Sequence, residues 1–214
     1  MNTYKVHLEF VEPILGTASP DPHIHERFIA SKAPDAPSRE EEVASLGVQE
    51  VADRGTTIFQ KNKAGQPFLW NYQIKGFFKD ACYMMRKVSG SKSKALTTYR
   101  KDIDGLVFPS PRNIVLHRPE GEPIRVLERP LRAQTAQGER IAIAASEMLD
   151  AGTWCEFEVT LLEDSPKYRE AMVEWFSYGQ LRGIGQWRNA CYGSFLCRIT
   201  DPRGKVLFDN LRDG

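Results

Sequence analysis

The densest cluster of residues able to bind an anionic ligand is the stretch "GIGQWRNACYGSF" at positions 183–195. Glycines let a phosphate approach the backbone closely and let successive N–H groups turn toward it. An arginine can pair with that phosphate or lie flat on a base, and a tryptophan can stack on one. These residue types predict a phosphate-facing turn formed by Gly183, Gly185, Gln186, Trp187, Arg188 and Asn189.

The same stretch has a second interpretation, in which its glycines only turn a helix into a strand and Trp187 and Tyr192 complete the core. A dinucleotide fingerprint is excluded, because the third glycine of G-x-G-x-x-G would fall at Arg188 and the stretch follows a predicted helix. Within the binding interpretation, we expect Trp187 and Arg188 at the rim and Tyr192 and Phe195 in the packing. Arg188→Ala would then weaken binding, whereas Phe195→Ala would unfold the domain.

A second basic cluster lies in "ERPLRAQTAQGER" at positions 128–140. Guanidinium groups clamp phosphates and side-chain amides read base edges, so this composition suits a loop that faces RNA or a nucleotide. A solvated hairpin rim is the alternative, but such a rim has no need for so many Arg and Gln with so few carboxylates. The residues predicted to bind are Arg129, Arg132, Gln134, Gln137 and Arg140.

Positive charge is concentrated in the centre of a chain that is nearly neutral overall. Residues 75–140 hold 14 Lys and Arg against 7 Asp and Glu, whereas residues 1–60 hold 5 against 10 and residues 141–214 hold 8 against 11. Lys75 and Lys79 begin this segment on the polar side of a predicted helix. The distribution, more than the net charge of +1, favours a polyanionic partner.

Catalytic candidates are confined to "DPHIHE", which supplies Asp21, His23 and His25. A histidine can act as general base in metal-independent RNA cleavage, but histidines beside prolines in a polar loop are commonly surface residues. The H-x-H pair lacks a third ligand at a metal-binding spacing, so we expect no metal and no cofactor. His7 and His117 fall in predicted strands, where we expect structural roles.

These residues must be positioned by a mixture of strands and a few helices. Alternating Tyr4, Val6, Leu8 and Phe10 predict a half-buried first strand. Runs of strands with few helices predict an α+β fold with a mainly antiparallel sheet. Further predicted helices are a short one over 22–30, one over 75–88, a short one around 94–103 and one from Pro166 stopped by Gly179. Further predicted strands form a hairpin of 56–60 and 67–74 and a hairpin of 105–119 and 122–131, and others lie within 137–149, over 152–162 and over 192–200.

The 214 residues, 41% of them hydrophobic, suffice for one substantial core, and we expect a single domain over 1–214 with an exposed insertion at 31–55. The N-terminus lacks the pattern of an export signal and no apolar run is long enough to span a membrane. A cytoplasmic protein with no membrane partner is therefore expected. Four reduced, mostly buried thiols are expected from Cys82, Cys155, Cys191 and Cys197, which form no C-x-x-C pair.

Several segments together resemble the RAMP superfamily, the RNA-binding proteins of CRISPR effector complexes and their processing endoribonucleases. Its P-x-G-T-x-F start of a strand is similar to Ala151, Gly152, Thr153 and Phe157, and its glycine-rich loop to Gly183, Gly185, Arg188, Tyr192 and Gly193. "FLWNYQIKG" is similar to the family's Lys-Gly start of the first helix, and "KVHLEFVEPILGT" to its first strand. The P-G-S-S that precedes Lys-Gly in the family is absent, and Gln186, Trp187 and Asn189 depart from the usual loop residues.

The resemblance implies a ferredoxin-like (RRM-like) antiparallel sheet with helices on one face and inserted loops. It also implies RNA, or another nucleic acid or nucleotide, as the partner. The whole pattern resembles an uncharacterised group in phages and prophages, which suggests a stand-alone relative. Two further functions stay open. One is a phage inhibitor of host defence, which mimics a CRISPR subunit or encloses a cyclic nucleotide. The other is a metal-independent endoribonuclease with a histidine base, His23 or His25, in which Asp21 lies where family members that cut RNA carry an aspartate.

Overall fold

The structure, a computed structural model, describes residues 1–19, 56–120, 122–135 and 138–211, with backbone only for 131–135 and 138–143. The chain forms two compact units. Unit one comprises Met1–Ile14, Gln60–Pro123 and Leu149–Gly214, and unit two comprises Leu15–Phe59 and Ile124–Met148. In the described ranges, no helix is both long and apolar enough to cross a membrane.

Strands and helices are mixed along the chain in an α+β arrangement. The strands are β1 (Asn2–Phe10), β2 (Ile14–Leu15), β3 (Gln60–Lys61), β4 (Pro67–Trp70), β5 (Val107–Ser110), β6 (Asn113–Val115), β7 (Arg125–Thr135), β8 (Gly138–Leu149), β9 (Trp154–Leu161), β10 (Phe195–Thr200) and β11 (Val206–Asp209). The helices within the described residues are α1 (Asn71–Met85), α2 (Tyr99–Leu106) and α3 (Pro166–Arg182), with 3-10 turns at Lys92–Ala95 and Arg188–Ala190.

Unit one is built on a five-stranded antiparallel sheet in the order β11-β10-β1-β9-β5. Its central strand β1 pairs with β10 on one side and with β9 on the other. In the chain, α1 lies between β1 and β5, and α3 lies between β9 and β10. A small sheet, β3-β4-β6, completes this unit, and unit two contains the sheet β2-β8-β7.

The alternation predicted for β1 is confirmed, because Tyr4, Val6, Leu8 and Phe10 are all buried. Aromatic rings from the two long helices cover this side of the sheet. Phe78 of α1 lies 5.3 Å from Trp175 and 5.1 Å from Phe176 of α3, and Phe77 lies 5.3 Å from Phe195 of β10. Burial of this apolar area is the main stabilising contribution to unit one.

Three of the four cysteines lie in this core, and all four are free thiols, as expected. Burial raises the pKa of Cys82 to about 11 and that of Cys197 to about 12. Burial likewise raises the pKa of Cys155. These three thiols therefore stay protonated and unreactive at neutral pH, while Cys191 is exposed.

Two predicted boundaries of the long helices are wrong, the first because of a local capping contact and the second because of packing in the core. The strand predicted over 67–74 ends at Trp70, since the backbone N–H of Trp70 donates to Gln73 Oε1 at 2.7 Å and α1 begins at Asn71. Helix α3 passes through Gly179, which was expected to end it, and terminates at Gly183 with φ 71°. A Cβ at position 179 would lie 2.0 Å from Phe195 Cζ, so this glycine makes room for the core.

The predicted hairpin of strands 105–119 and 122–131 is also wrong. The first segment divides into β5 and β6, which join different sheets of unit one, and the second becomes β7 of unit two. Strand β7 pairs with β8 in register from Arg125↔Met148 to Thr135↔Gly138. Local turn composition around residues 118–123 indicated a chain reversal, but the two segments pair with other strands and not with each other.

A carboxylate on α3 holds the serine-rich connection that follows α1. Glu174 Oε1 accepts from the backbone N–H of Lys92 at 2.6 Å, and Glu174 Oε2 accepts from the hydroxyls of Ser91 and Ser93 at 2.8 and 2.9 Å. Trp175 Nε1 adds a 3.0 Å bond to the Ser93 hydroxyl. Burial alone would raise the pKa of Glu174, but these hydrogen bonds outweigh it and hold the pKa below its ordinary value of 4.5.

We expect Glu174→Gln to lower the free energy of unfolding at neutral pH by about 1–3 kcal/mol, because several donors lose a charged acceptor. The wild type should also lose stability as the pH falls below 4.5, since the unfolded carboxyl takes up a proton before the folded one does. Urea unfolding at several pH values should find this part of the decline missing in Glu174→Gln.

The matched control is Glu170→Gln, one turn earlier on α3, where the carboxylate is half-exposed and pairs with Lys92 Nζ at 2.8 Å. An exposed ion pair contributes little, so the expected loss is much smaller than that of Glu174→Gln. Equal losses from both substitutions would contradict the role assigned to Glu174.

Candidate nucleic-acid interface

The glycine-rich loop after α3 is shaped by contact between two stretches of backbone. A Cβ on Gly183 would lie 2.5 Å from the carbonyl carbon of Gly193, and a Cβ on Gly193 would lie 1.9 Å from the carbonyl oxygen of Ile184. Both glycines have positive φ, 71° in each case. Only glycine satisfies the spacing and the conformation together.

Several N–H groups of this loop are used inside the protein. Gly183 donates to Gly179 O at 3.0 Å, Ile184 donates to Gly193 O at 2.9 Å, and Gly193 donates to Pro13 O at 2.8 Å. These groups hold the loop against the residues that follow β1. Gly183 and Gly193 are thus required by packing, and the N–H groups of Gly183, Ile184 and Gly193 are not available to an anion.

Two arginines converge on one carboxylate where this loop meets α1. Arg188 Nη1 lies 2.8 Å and Arg182 Nε lies 3.0 Å from Asp80 Oδ2. Arg182 also donates to Asn189 Oδ1. Each of the three charged side chains is between a quarter and a third exposed, and together they carry one net positive charge at the surface. We refer to Asp80, Arg182 and Arg188 as the paired-arginine cluster.

Sequence reasoning predicted Arg188 and Asn189 here but missed Arg182 and Asp80. Asp80 had one feature that could have drawn attention to it: it is the single acidic residue between positions 61 and 101, among ten Lys and Arg. Arg182 could not be identified, because the helix was expected to end before it. Its position in the last turn of α3, one residue before the glycine, brings it to the loop.

Trp187 lies on the same loop and is half-buried. Its backbone is left-handed, with φ 52°, and its ring meets Tyr192 edge-on at 6.0 Å. Phe195 is fully buried between Phe10 and Phe77, as expected of the packing part of this stretch. Gly185, with φ 99°, and Gln186 are also half-buried, next to Trp187 in the chain.

Lys75 and Lys79 lie on α1 but turn toward α2. Lys79 Nζ is 2.6 Å from Asp104 Oδ1, and Lys75 Nζ donates to the Asp104 carbonyl oxygen at 3.0 Å. Lys75 also lies 4.3 Å from the centre of the Phe108 ring. Burial lowers the pKa of Lys75 and the Asp104 carboxylate partly offsets that effect. The two lysines are therefore not brought to the paired-arginine cluster.

The second predicted cluster belongs to the long β7–β8 hairpin of unit two. Arg129 is half-buried in β7 opposite Ala144 of β8, so the segment is mostly strand where a loop was expected. Gln137 and the side chains of Arg132, Gln134 and Arg140 lie outside the described residues, as do the catalytic candidates Asp21, His23 and His25. Among residues that are described, no three His, Cys, Asp or Glu side chains gather as metal ligands would.

The face of the large sheet opposite the helices carries charges of both signs. His7 Nδ1 lies 3.1 Å from Glu156 Oε1, and Arg198 Nε lies 2.6 Å from Asp209 Oδ2. Trp154 stacks on His117 at 4.1 Å and on His7 at 5.4 Å. A cleft of about 570 Å³ opens here, lined also by Lys5 and Glu158. Because its cations are matched by carboxylates, this cleft does not favour a polyanion.

Comparison with known structures finds a similar fold. A chain of the cryo-EM structure of the Type III-B Cmr-beta bound to cognate target RNA superposes with a TM-score of 0.54 at 10% sequence identity. The match covers 94% of this chain and 60% of that chain, so this protein spans less than two thirds of its structural neighbour. No protein family and no curated protein matches the sequence.

The loop geometry predicts a large difference between two glycine substitutions. Gly193→Ala would press a methyl group into the backbone of Ile184, whereas Gly90→Ala, at a similar φ of 78°, would meet nothing within 4 Å. Both changes incur the cost of a left-handed residue, about 1 kcal/mol. We expect Gly193→Ala to lower the free energy of unfolding by at least about 2 kcal/mol more than Gly90→Ala, measured by urea unfolding. Equal losses would mean that conformation alone selects glycine at position 193.

Proposed function

We propose that this protein binds nucleic acid, with RNA as the first candidate, through the paired-arginine cluster and the adjoining glycine-rich loop. The convergence of Arg182 and Arg188 on Asp80 beside Trp187 carries the proposal. The Asp80 carboxylate orients two guanidinium groups, and the cluster keeps one net positive charge. The N–H groups of these guanidinium groups are therefore preformed donors for a phosphate. The neighbouring residue, Trp187, is of a type on which bases stack.

The charge of the surrounding chain supports this assignment. Residues 61–101, which include all of α1, hold ten Lys and Arg and only Asp80 as an acidic residue, and Asp80 is already paired with two arginines. Lys75 and Lys79 add positive potential at long range although Asp104 holds them in place. Such a distribution attracts the phosphate backbone without selecting a sequence.

The architecture is consistent with a RAMP-like, ferredoxin-like module. The order β10-β1-β9-β5, with α1 connecting β1 to β5 and α3 connecting β9 to β10, follows the β-α-β-β-α-β pattern of that fold. The neighbouring Cmr-beta structure was determined with target RNA bound. On this proposal, the β7–β8 hairpin is an insertion whose Arg129, Arg132, Gln134, Gln137 and Arg140 add a second contact with the phosphate backbone.

The proposal assigns the ligand to the helical side of unit one. On the open face of the sheet, Glu156, Glu158 and Asp209 would repel phosphates, and Trp154 is engaged with two histidine rings. An RRM-like mode, in which bases lie on the sheet, is therefore not favoured by its electrostatics.

Filter binding of single-stranded RNA across salt concentrations tests the proposal. Wild-type affinity should fall steeply between about 50 and 200 mM salt. Arg188→Ala should lower the affinity about tenfold and reduce the salt slope by about one, because one phosphate contact is lost. The free energy of unfolding should change by less than about 1 kcal/mol, since the Arg188–Asp80 pair is partly exposed.

Arg198→Ala is the matched control, because Arg198 also pairs with one carboxylate but lies on the open face of the sheet. It should leave the affinity and the salt slope unchanged. Absent or salt-insensitive binding by the wild type would refute the proposal. An equal loss of affinity in Arg198→Ala would instead indicate a site on the open face of the sheet.

A further inference from the structure

Three side chains at the start of α1 form a stacked ladder on the surface. The Trp70 and Tyr72 rings are nearly parallel, at 14°, with centres 6.0 Å apart. The Arg112 guanidinium carbon lies 5.3 Å from the centre of the Trp70 ring. Tyr72 is 62% exposed, an unusually large fraction for an aromatic residue at a defined position in a helix.

The ladder is held in place by an aromatic contact with Phe68 and by hydrogen bonds of the neighbouring backbone. Phe68 meets Trp70 edge-on at 4.9 Å, and the backbone N–H of Trp70 donates to Gln73 Oε1. The Arg112 carbonyl oxygen accepts from the Asn71 N–H at 2.9 Å, which ties the turn before β6 to the first residue of α1. Tyr72 therefore projects from a rigid support, and binding of a ligand ring to it would cost little side-chain entropy.

The Arg112 guanidinium gives the ladder a positive charge. Among the described residues, no carboxylate pairs with Arg112, and the chain from 61 to 101 contains no acidic residue besides Asp80. A stacked aromatic pair flanked by a guanidinium suits a flat, electron-rich ring attached to a negatively charged backbone. An unpaired nucleobase has these properties, whereas a base inside a duplex does not offer its face.

We propose that Tyr72, supported by Trp70 and Arg112, is a stacking platform for an unpaired base of a single-stranded nucleic acid. This inference rests on the proposed function and narrows its ligand from nucleic acid in general to single strands. It adds a binding site separate from the glycine-rich loop. Any base can stack here, so the platform selects for strandedness and tolerates different sequences.

The surface of α1 links this platform to the paired-arginine cluster. Tyr72, Gly76 and Asp80 follow one another at intervals of four residues on one side of the helix. The distance from Tyr72 to Asp80 along the axis is about 12 Å, the length of three to four stacked nucleotides at about 3.4 Å each. Gly76 is exposed, and a Cβ added to it would meet nothing within 4 Å, so a backbone can pass close to the helix there.

Fluorescence anisotropy with a labelled single-stranded RNA of about eight nucleotides, and with the same RNA annealed to its complement, tests the platform. Tyr72→Ala should weaken single-strand binding about five- to hundredfold and leave duplex binding unchanged. Tyr72→Phe should retain wild-type affinity for the single strand, because the ring face is kept. Thermal unfolding of each variant checks that α1 remains folded.

The matched control is Tyr83→Ala, since Tyr83 is also an exposed tyrosine of α1, 46% exposed, but Lys87 Nζ lies over its ring at 4.3 Å. It should bind the single strand as the wild type does. A second pair compares Gly76→Glu with Gly105→Glu, two exposed helical glycines with open space around them. Only Gly76→Glu, on the path from platform to cluster, should weaken binding.

The outcomes separate this inference from the proposed function. Binding that depends on Arg188 but not on Tyr72, or equal losses from Tyr72→Ala and Tyr83→Ala, would overturn the platform and leave the arginine site intact. A Tyr72→Ala loss that is equal for single strand and duplex would also overturn it. Failure of the wild type to bind either RNA would refute both proposals.

Discussion

The close approach of the Gly183 and Gly193 backbones is the constraint on which the candidate site depends. It joins the end of α3 to the start of β10, and the bond from Gly193 N to Pro13 O fastens both to the residues after β1. Because this turn is fixed, Arg188 lies at the start of a 3-10 turn, where its side chain reaches Asp80 on α1. A larger residue at either glycine would separate the two stretches of backbone and move the arginine away from its partner.

Because of this constraint, different residues of the loop serve packing and surface charge. The glycines are required by packing, while charge and aromatic surface come from side chains placed beside them. Asp80 keeps two guanidinium groups together that would otherwise repel one another, and their excess positive charge remains at the surface. Burial and the proposed binding therefore depend on different residues of the same thirteen-residue stretch, and substitutions are expected to separate stability from affinity.

The two faces of unit one differ in the ligands they suit. On the helical side, α1 carries Tyr72, the bare backbone at Gly76 and Asp80 along one surface, and Asp80 holds the two arginines of the cluster. On the sheet side, carboxylates accompany nearly every cation in the cleft. The two surfaces thus differ in electrostatics, and this difference is the reason for proposing that nucleic acid binds on the helical side.

The sequence by itself determined the α+β class, the buried face of β1, the inert thiols and the presence of Arg188 and Phe195 in one stretch, because periodicity and local composition control these features. Only the tertiary structure decided that α3 continues through Gly179, that Lys75 and Lys79 are held by Asp104, and that Arg182 and Asp80 complete the site. Each of those outcomes depends on a partner that lies far away in the chain, and no local pattern records which residues folding will bring into contact.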